Sequence, residues 1–312
     1  VATLRLVLDR PLDLGAVVGS LYRGAGDPTM RLARGRMARA SWMADGASTL
    51  LVTLGDGSAD AEGWGPGAGE ALARLPALLG MDDDDAAFDP SLHPAVRDLA
   101  RRQPGLRIGR TGSVFEALVP AILEQRITGT EAFRSYRRLI RALGLAAPGP
   151  LGLWMPPRPA DVAGLPSWTF PSLGIEPRRG ALLRRVARDA ASLEALAARA
   201  REPGGAGAGA AALDERLRQY PGIGPWGAGA GRVRARGGPA AVSLADAHLP
   251  HVAGWILASE PRATDSRMLQ LLEPWAGQRA RVIRLLERSG RQPPRYGPRI
   301  APRDLTDLAP RR

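Results

Sequence analysis

The period of apolar and polar positions changes near residue 90 and divides the chain in two. Ahead of that point Leu4, Leu6 and Leu8 alternate with polar neighbours, the period-two pattern of a half-buried strand. Residues 12–22 read as a helix, 29–43 as two short strands around Gly35, 49–54 as a further strand, and 70–79 as a closing helix. Residues 1–90 are therefore expected to form a small α+β domain. From about Pro90 the period becomes helical. Phe115, Leu118, Val119, Ile122 and Leu123 mark one helix, and Phe133, Tyr136, Leu139, Ile140 and Leu143 mark another for which Thr130 is the expected cap. Residues 147–159 and 171–180 read as loops, with Phe170 beside the second. Residues 182–200 return to helix, and the Gly/Ala stretch 202–212 reads as a flexible connection. Met268, Leu271 and Leu272 give another apolar face, and 282–286 the last helix. The fold expected is mostly α, with a helical body over 91–290 and a basic Pro/Arg-rich tail over 291–312.

Leu213, Leu217 and Tyr220 form a helical stripe that Pro221 and Gly222 end. Gly222 and Gly224 lack the Cβ that would block a close ligand. A new helix is expected from about Pro225, where a proline gives up a donor that would be orphaned anyway. Amides exposed by such a turn attract anions, a DNA phosphate among them. The same residues also fit an ordinary turn between two helices. Asp246 lies twenty residues after Trp226 and just ahead of the apolar face of Leu249, Val252 and Ile256. Asp is a favoured helix N-cap. A capping Asp can also be catalytic, and the residues alone leave both roles open.

Together, Pro221-Gly-Ile-Gly-Pro-Trp226, Asp246-Ala-His-Leu249 and the run from Leu118 to Thr128 resemble the helix-hairpin-helix DNA glycosylase superfamily, nearest to the DNA-3-methyladenine glycosylase II branch. The resemblance covers roughly residues 90–290 well and implies an all-helical core with the hairpin at about 213–236, preceded by the small α+β domain. It also implies a monofunctional enzyme that flips alkylated purines out of duplex DNA and hydrolyses the N-glycosidic bond. Asp246 would stabilise the charge developing at the sugar. Trp226 would stack on the flipped base, with Trp275 and Phe170 as further pocket candidates; for the tryptophans core packing is the competing reading. Ala230 stands where the branch often has a tyrosine. Gln125 would match the Gln ahead of the residue that fills the gap in the duplex, and Arg126 would take that wedge position. The alternative for Arg126 is a cation near helix C-terminal carbonyls. Gly222, Gly224 and Thr128 complete the expected DNA contacts.

Two absences narrow the branch. Without cysteine the chain cannot hold a four-cysteine iron–sulfur cluster. All 43 basic residues are arginine, and Trp226 occupies the position, two after Gly224, at which lyase-type members carry a Schiff-base lysine. Arginine stays protonated and cannot replace it.

The net charge of +12 and isoelectric point near 11.3 fit a polyanionic partner, although GC-rich coding also favours arginine. No apolar run reaches the length of a membrane span, and the start carries no secretory pattern. A monomer acting on damaged double-stranded DNA in the cytoplasm, at the nucleoid, without cofactor or catalytic metal, is the expectation. His248 and His251 lie three apart, but only His93 could join them, and they read as packing residues. The acidic run Asp82–Asp85 reads as a solvated linker. Competing functions are a non-catalytic DNA-binding or damage-sensing protein, and a glycosylase for deaminated or oxidised bases.

Overall fold

A computed structural model describes residues 1–199, 208–224, 235, 237–240, 242, 244, 246 and 248–294. The N-terminal part holds β1 (Ala2–Val7), α1 (Leu14–Val18), β2 (Met30–Ala33), β3 (Arg36–Met43), β4 (Gly46–Leu54), β5 (Ser58–Trp64), α2 (Ala68–Ala73) and α3 (Leu75–Leu78). The strands form one antiparallel sheet in the order β1-β5-β4-β3-β2. Periodicity located four of the five strands. It missed β5, whose inward positions are Ala59, Ala61 and Gly63. These residues are small because α2 lies against them: a Cβ on Gly63 would come within 3.1 Å of the Ala68 Cβ. Met30, Met37, Leu50 and Val52 pack with α1 to α3 on one sheet face. Leu153 and Met155 cover Ala38, Ala40 and Leu51 on the other. Part of the expected 147–159 loop is thus a second cover for the sheet, pinned where the Trp154 N–H donates to the Pro28 carbonyl at 2.9 Å.

The helical part continues with α4 (Pro94–Arg102), α5 (Val114–Leu123), α6 (Gly129–Leu143), α7 (Pro159–Gly164), α8 (Thr169–Ser172), α9 (Pro177–Arg188), α10 (Ala190–Arg199), α11 (Ala208–Arg218), α12 (Leu249–Ala258), α13 (Asp265–Leu271) and α14 (Arg279–Arg288). Two apolar clusters organise it. One surrounds α5, whose residues are all buried except Glu116, and draws on α6, α9, α10 and α11. The other joins α4 to α12, α13 and α14. Several boundaries differ from the sequence expectation. Short α8 and the Pro177 start of α9 occupy the expected 171–180 loop, proline being suited to the first helical position. The expected 182–200 helix breaks at Asp189. Helix α11 begins at Ala208, inside the expected flexible stretch, because alanine favours helix. The helix expected after the hairpin, with Trp226 and Ala230, falls outside the described residues, as does the tail from 295 on.

The acidic run is an ion-paired junction rather than a solvated linker. Asp82 pairs with Arg110 and Asp85 with Arg10. Asp83 accepts from the Ile108 N–H at 2.8 Å and from buried Arg281 at 2.6 Å, which ties the sheet-bearing part to α14. The two residue sets are far apart in sequence, so a local reading of charge could not pair them.

Candidate active site

The hairpin is anchored from below. Leu213 and Leu217 of α11 sink into the first apolar cluster. The Tyr220 hydroxyl donates to the Asp189 carboxylate at 2.7 Å, and Arg216 donates to the same oxygen at 3.0 Å while lying over the Tyr220 ring. Burial, then the Asp189 carboxylate, raise the Tyr220 pKa, which keeps the hydroxyl a donor. The chain turns at Gly222, whose φ of +102° lies in the region that favours glycine. A Cβ there would stand 3.1 Å from the Leu182 side chain, whereas one on Gly224 would meet no described atom within 4 Å.

The turn between α5 and α6 docks on this hairpin. Gln125 Nε2 donates to the Gly222 carbonyl at 2.8 Å, joining two of the motifs that carried the resemblance. Arg126 follows with φ +53°, one of two non-glycine residues with positive φ among the described residues, and its side chain is exposed. A left-handed arginine costs about 1–2 kcal/mol, so the surrounding contacts must hold it there. One such contact is Arg179, 5% exposed, whose Nη1 donates to the Leu123 carbonyl at 3.0 Å. Burial lowers the Arg179 pKa, against the opposing pull of Glu176 and Glu131. Sequence reasoning passed over this residue. The available signal was an arginine sharing the apolar stripe of Leu182, Leu183 and Val186.

Thr128, not Thr130, caps α6. Its hydroxyl accepts from the Glu131 N–H, and the Glu131 carboxylate accepts from the Thr128 N–H at 2.8 Å and hydroxyl at 2.7 Å. The Thr128-x-x-Glu131 spacing is a capping box. Both polar groups of Thr128 are therefore engaged in fixing the helix end that follows Arg126.

Asp246 stands just before α12. Its Oδ1 accepts from the His248 N–H at 2.7 Å and the Leu249 N–H at 2.9 Å, so it satisfies amides at the helix start from two residues ahead of the N-cap, His248, and it remains partly exposed. Two aromatic pocket candidates lie within the apolar clusters. Phe170 is 1% exposed in the first cluster, its ring against Gly180. Trp275 is 4% exposed in the second, its indole N–H donating to the Asp89 carbonyl at 2.7 Å. Core packing, the competing reading for Trp275, describes the surroundings of both rings. His251 accepts from the Ala263 N–H, and His93 bridges Ala95 and the Leu257 carbonyl, so these two serve structure, whereas His248, expected as a packing residue, is exposed. No group of metal-ligating side chains occurs among the described residues.

No protein-family profile and no curated protein matches the chain. Solved structures do. The 3-methyladenine DNA-glycosylase from Archaeoglobus fulgidus superposes with a TM-score of 0.74 at 18% identity, covering 91% of this chain and 97% of that one. The chain has the helix-hairpin-helix DNA glycosylase fold. MBOgg1, solved in complex with a low-affinity DNA ligand, gives 0.71 at 13% identity over 92% and 96% of the two chains. The Clostridium acetobutylicum 8-oxoguanine glycosylase/lyase, solved with double-stranded DNA containing cytosine opposite 8-oxoG, gives 0.66 at 12% identity over 89% and 92%. At these identities the likeness is one of architecture. Among the described residues no helix is long and apolar enough to cross a membrane.

Proposed function

We propose that the protein is a monofunctional DNA glycosylase that extrudes alkylated purines from duplex DNA and hydrolyses their N-glycosidic bond. The observation that carries this reading is the Gln125–Gly222 bond, which joins an exposed, left-handed Arg126 to a glycine hairpin in a chain of glycosylase fold. The amides of the hairpin at Gly222 and Gly224 hold a phosphate. Arg126 enters the stack as the damaged nucleotide leaves it. Trp226 stacks on the extruded, electron-poor base. Asp246 faces the sugar: as the C1′–N bond breaks and its electron pair leaves with the base, the carboxylate stabilises the positive charge at C1′ and orients the water whose oxygen bonds there, a proton being released. A purine alkylated at N3 or N7 is cationic and departs as a neutral base, so little acid catalysis is required. Tryptophan at the hairpin position and the lysine-free sequence support hydrolysis without a Schiff base. The net charge supports duplex DNA as the partner. The protein is proposed to act as a monomer at the nucleoid.

One of the similar structures is of an 8-oxoguanine glycosylase/lyase, which favours oxidised-base removal as the second reading. Duplexes carrying 3-methyladenine, 7-methylguanine or 8-oxoguanine separate the two. Release of free methylpurine without strand nicking, abolished in Asp246→Asn while duplex binding persists, is the expected result. Release of 8-oxoguanine alone would replace the alkylpurine assignment, and full activity in Asp246→Asn would overturn the mechanism.

A further inference from the structure

The loop at residues 23–29, between α1 and β2, belongs to the sheet-bearing part yet lies against the two helices that flank the Gln125–Arg126 turn. Its own shape is set by buried Asp27, which accepts from the Arg23 N–H at 2.8 Å and from the Thr29 N–H and hydroxyl, each at 2.8 Å. So folded, the loop reaches out twice. The buried Arg23 guanidinium pairs with Glu124, the residue just ahead of Gln125, with Nε 3.7 Å from Oε1. Thr29 shares a hydrogen bond of 3.2 Å with Tyr136 of α6. Close approach depends on small residues: Gly24, at φ +80°, lies against the Phe133 ring, and Gly26 against the Arg137 stem. A third tie grips the other end of α5, where Arg39 of β3 pairs with Glu116.

Both ends of α5 and one face of α6 are held by polar groups of the sheet-bearing part, and the segment left between them is the strained turn. Arg179 completes the enclosure from α9. An arginine in a left-handed backbone relaxes unless the chain on both sides is fixed, and the buried guanidiniums of Arg23 and Arg39 engage α5 and its C-terminal end through Glu116 and Glu124.

We infer that the 23–29 loop is a positioning element for base extrusion: Arg23, set by Asp27, holds Glu124 so that Arg126 is presented ready for insertion into the duplex. This rests on the glycosylase reading above. Arg23 and Glu124 are positioning residues and touch no reacting atom.

The test uses the full chain and a duplex with one 7-methylguanine beside 2-aminopurine, whose fluorescence rises when stacking is lost. Arg23→Met should lower single-turnover base release and the fluorescence rise by about tenfold or more, as expected for a misplaced group remote from the chemistry. Affinity for undamaged duplex should stay within about twofold, since ground-state phosphate contacts are untouched. Arg23→Lys should recover part of the loss. The deciding variant is Arg23→Met in an Arg126→Ala background: a positioning role predicts no further loss there, because the residue being positioned is gone. Additive losses would show that Arg23 acts only on general structure and would overturn the inference. Unchanged release in Arg23→Met would also overturn it. If Arg23→Met does not fold, Glu124→Gln, which keeps the shape and removes the charge, is read in the same way. A wild-type protein that neither releases base nor raises the fluorescence overturns the alkylpurine reading and this inference with it, an outcome distinct from an active wild type with an indifferent Arg23.

Discussion

Gly222→Ala tests whether the hairpin is held by conformation as the structure indicates. At φ +102° an L-residue is strained by about 1–3 kcal/mol. The new methyl would also stand 3.1 Å from Leu182 Cδ2, in a well-packed cluster where overpacking adds about 1 kcal/mol or more. Together the substitution should cost about 3 kcal/mol, a large share of the roughly 5–15 kcal/mol available to a folded protein. It should also displace the carbonyl that accepts from Gln125. Gly224→Ala is the matched control. Its methyl meets no described atom within 4 Å, so the stability change should stay within about 0.5 kcal/mol. That methyl would nevertheless occupy the space a phosphate must enter. Urea unfolding followed by circular dichroism gives the stability of each variant, and fluorescence anisotropy with an undamaged duplex gives affinity. The expected pattern is loss of stability in the first variant, and loss of affinity at unchanged stability in the second. Equal unfolding midpoints for Gly222→Ala and the parent would refute the conformational argument, and undiminished affinity in Gly224→Ala would refute the phosphate clamp.

Three further outcomes follow from the packing. Asp83→Ala leaves the buried Arg281 guanidinium without its carboxylate and should cost about 3–5 kcal/mol, whereas Asp82→Ala, in a half-exposed pair, should cost under about 1 kcal/mol; similar losses in chemical denaturation would refute the burial of the first pair. Tyr136 and Tyr220 have raised pKa values, from burial first and from the neighbouring Asp27 and Asp189 charges. Below about pH 10, where unfolded tyrosine holds its proton, their contribution is complete. Above it the unfolded chain ionises first and stability falls. Tyr136→Phe should flatten that alkaline decline, and an identical slope in thermal unfolding between pH 9 and pH 12, roughly the tyrosine range, would contradict it. Thr128→Ala removes the capping box of α6 and should cost about 1 kcal/mol, while Thr130→Ala should cost almost nothing; the reverse order in thermal unfolding would return the cap to Thr130.

Much of this fold was legible because its helices bury whole faces. The near-continuous apolar run of α5 announces a central helix, and the hairpin is marked by glycines. The misses have physical causes. Strand β5 carries alanine and glycine where a strand usually carries bulk, because α2 needs the room. Thr128 was readable as a cap from the glutamate three residues on, a pattern Thr130 lacks, since Phe133 occupies that place. The burial of Phe170 and Trp275 was not legible, because an aromatic ring carries no mark of which side it faces. Harder to read were the long-range ties. The Gln125–Gly222 bond, and the pairs Arg23–Glu124, Arg39–Glu116 and Asp83–Arg281, join residues far apart in sequence, and no periodicity records a partner.

Those ties change the meaning of the lysine-free composition. Read alone, the arginines suggest affinity for a polyanion or a coding bias. Several of them are instead buried and bridge two kinds of acceptor at once. Arg23 donates to the Ser20 carbonyl while pairing with Glu124. Arg107 donates to the Arg10 carbonyl and to Asp9, and Arg281 to Gln278 and Asp83. A planar guanidinium can hold two acceptors in a fixed relative geometry, whereas an ammonium is a point charge on a flexible stem. Replacing these arginines by lysine would keep every charge and lose the geometry. Each of the three is matched by a carboxylate, so these pairs leave the net charge of +12 unchanged and the arginines in them brace the interior.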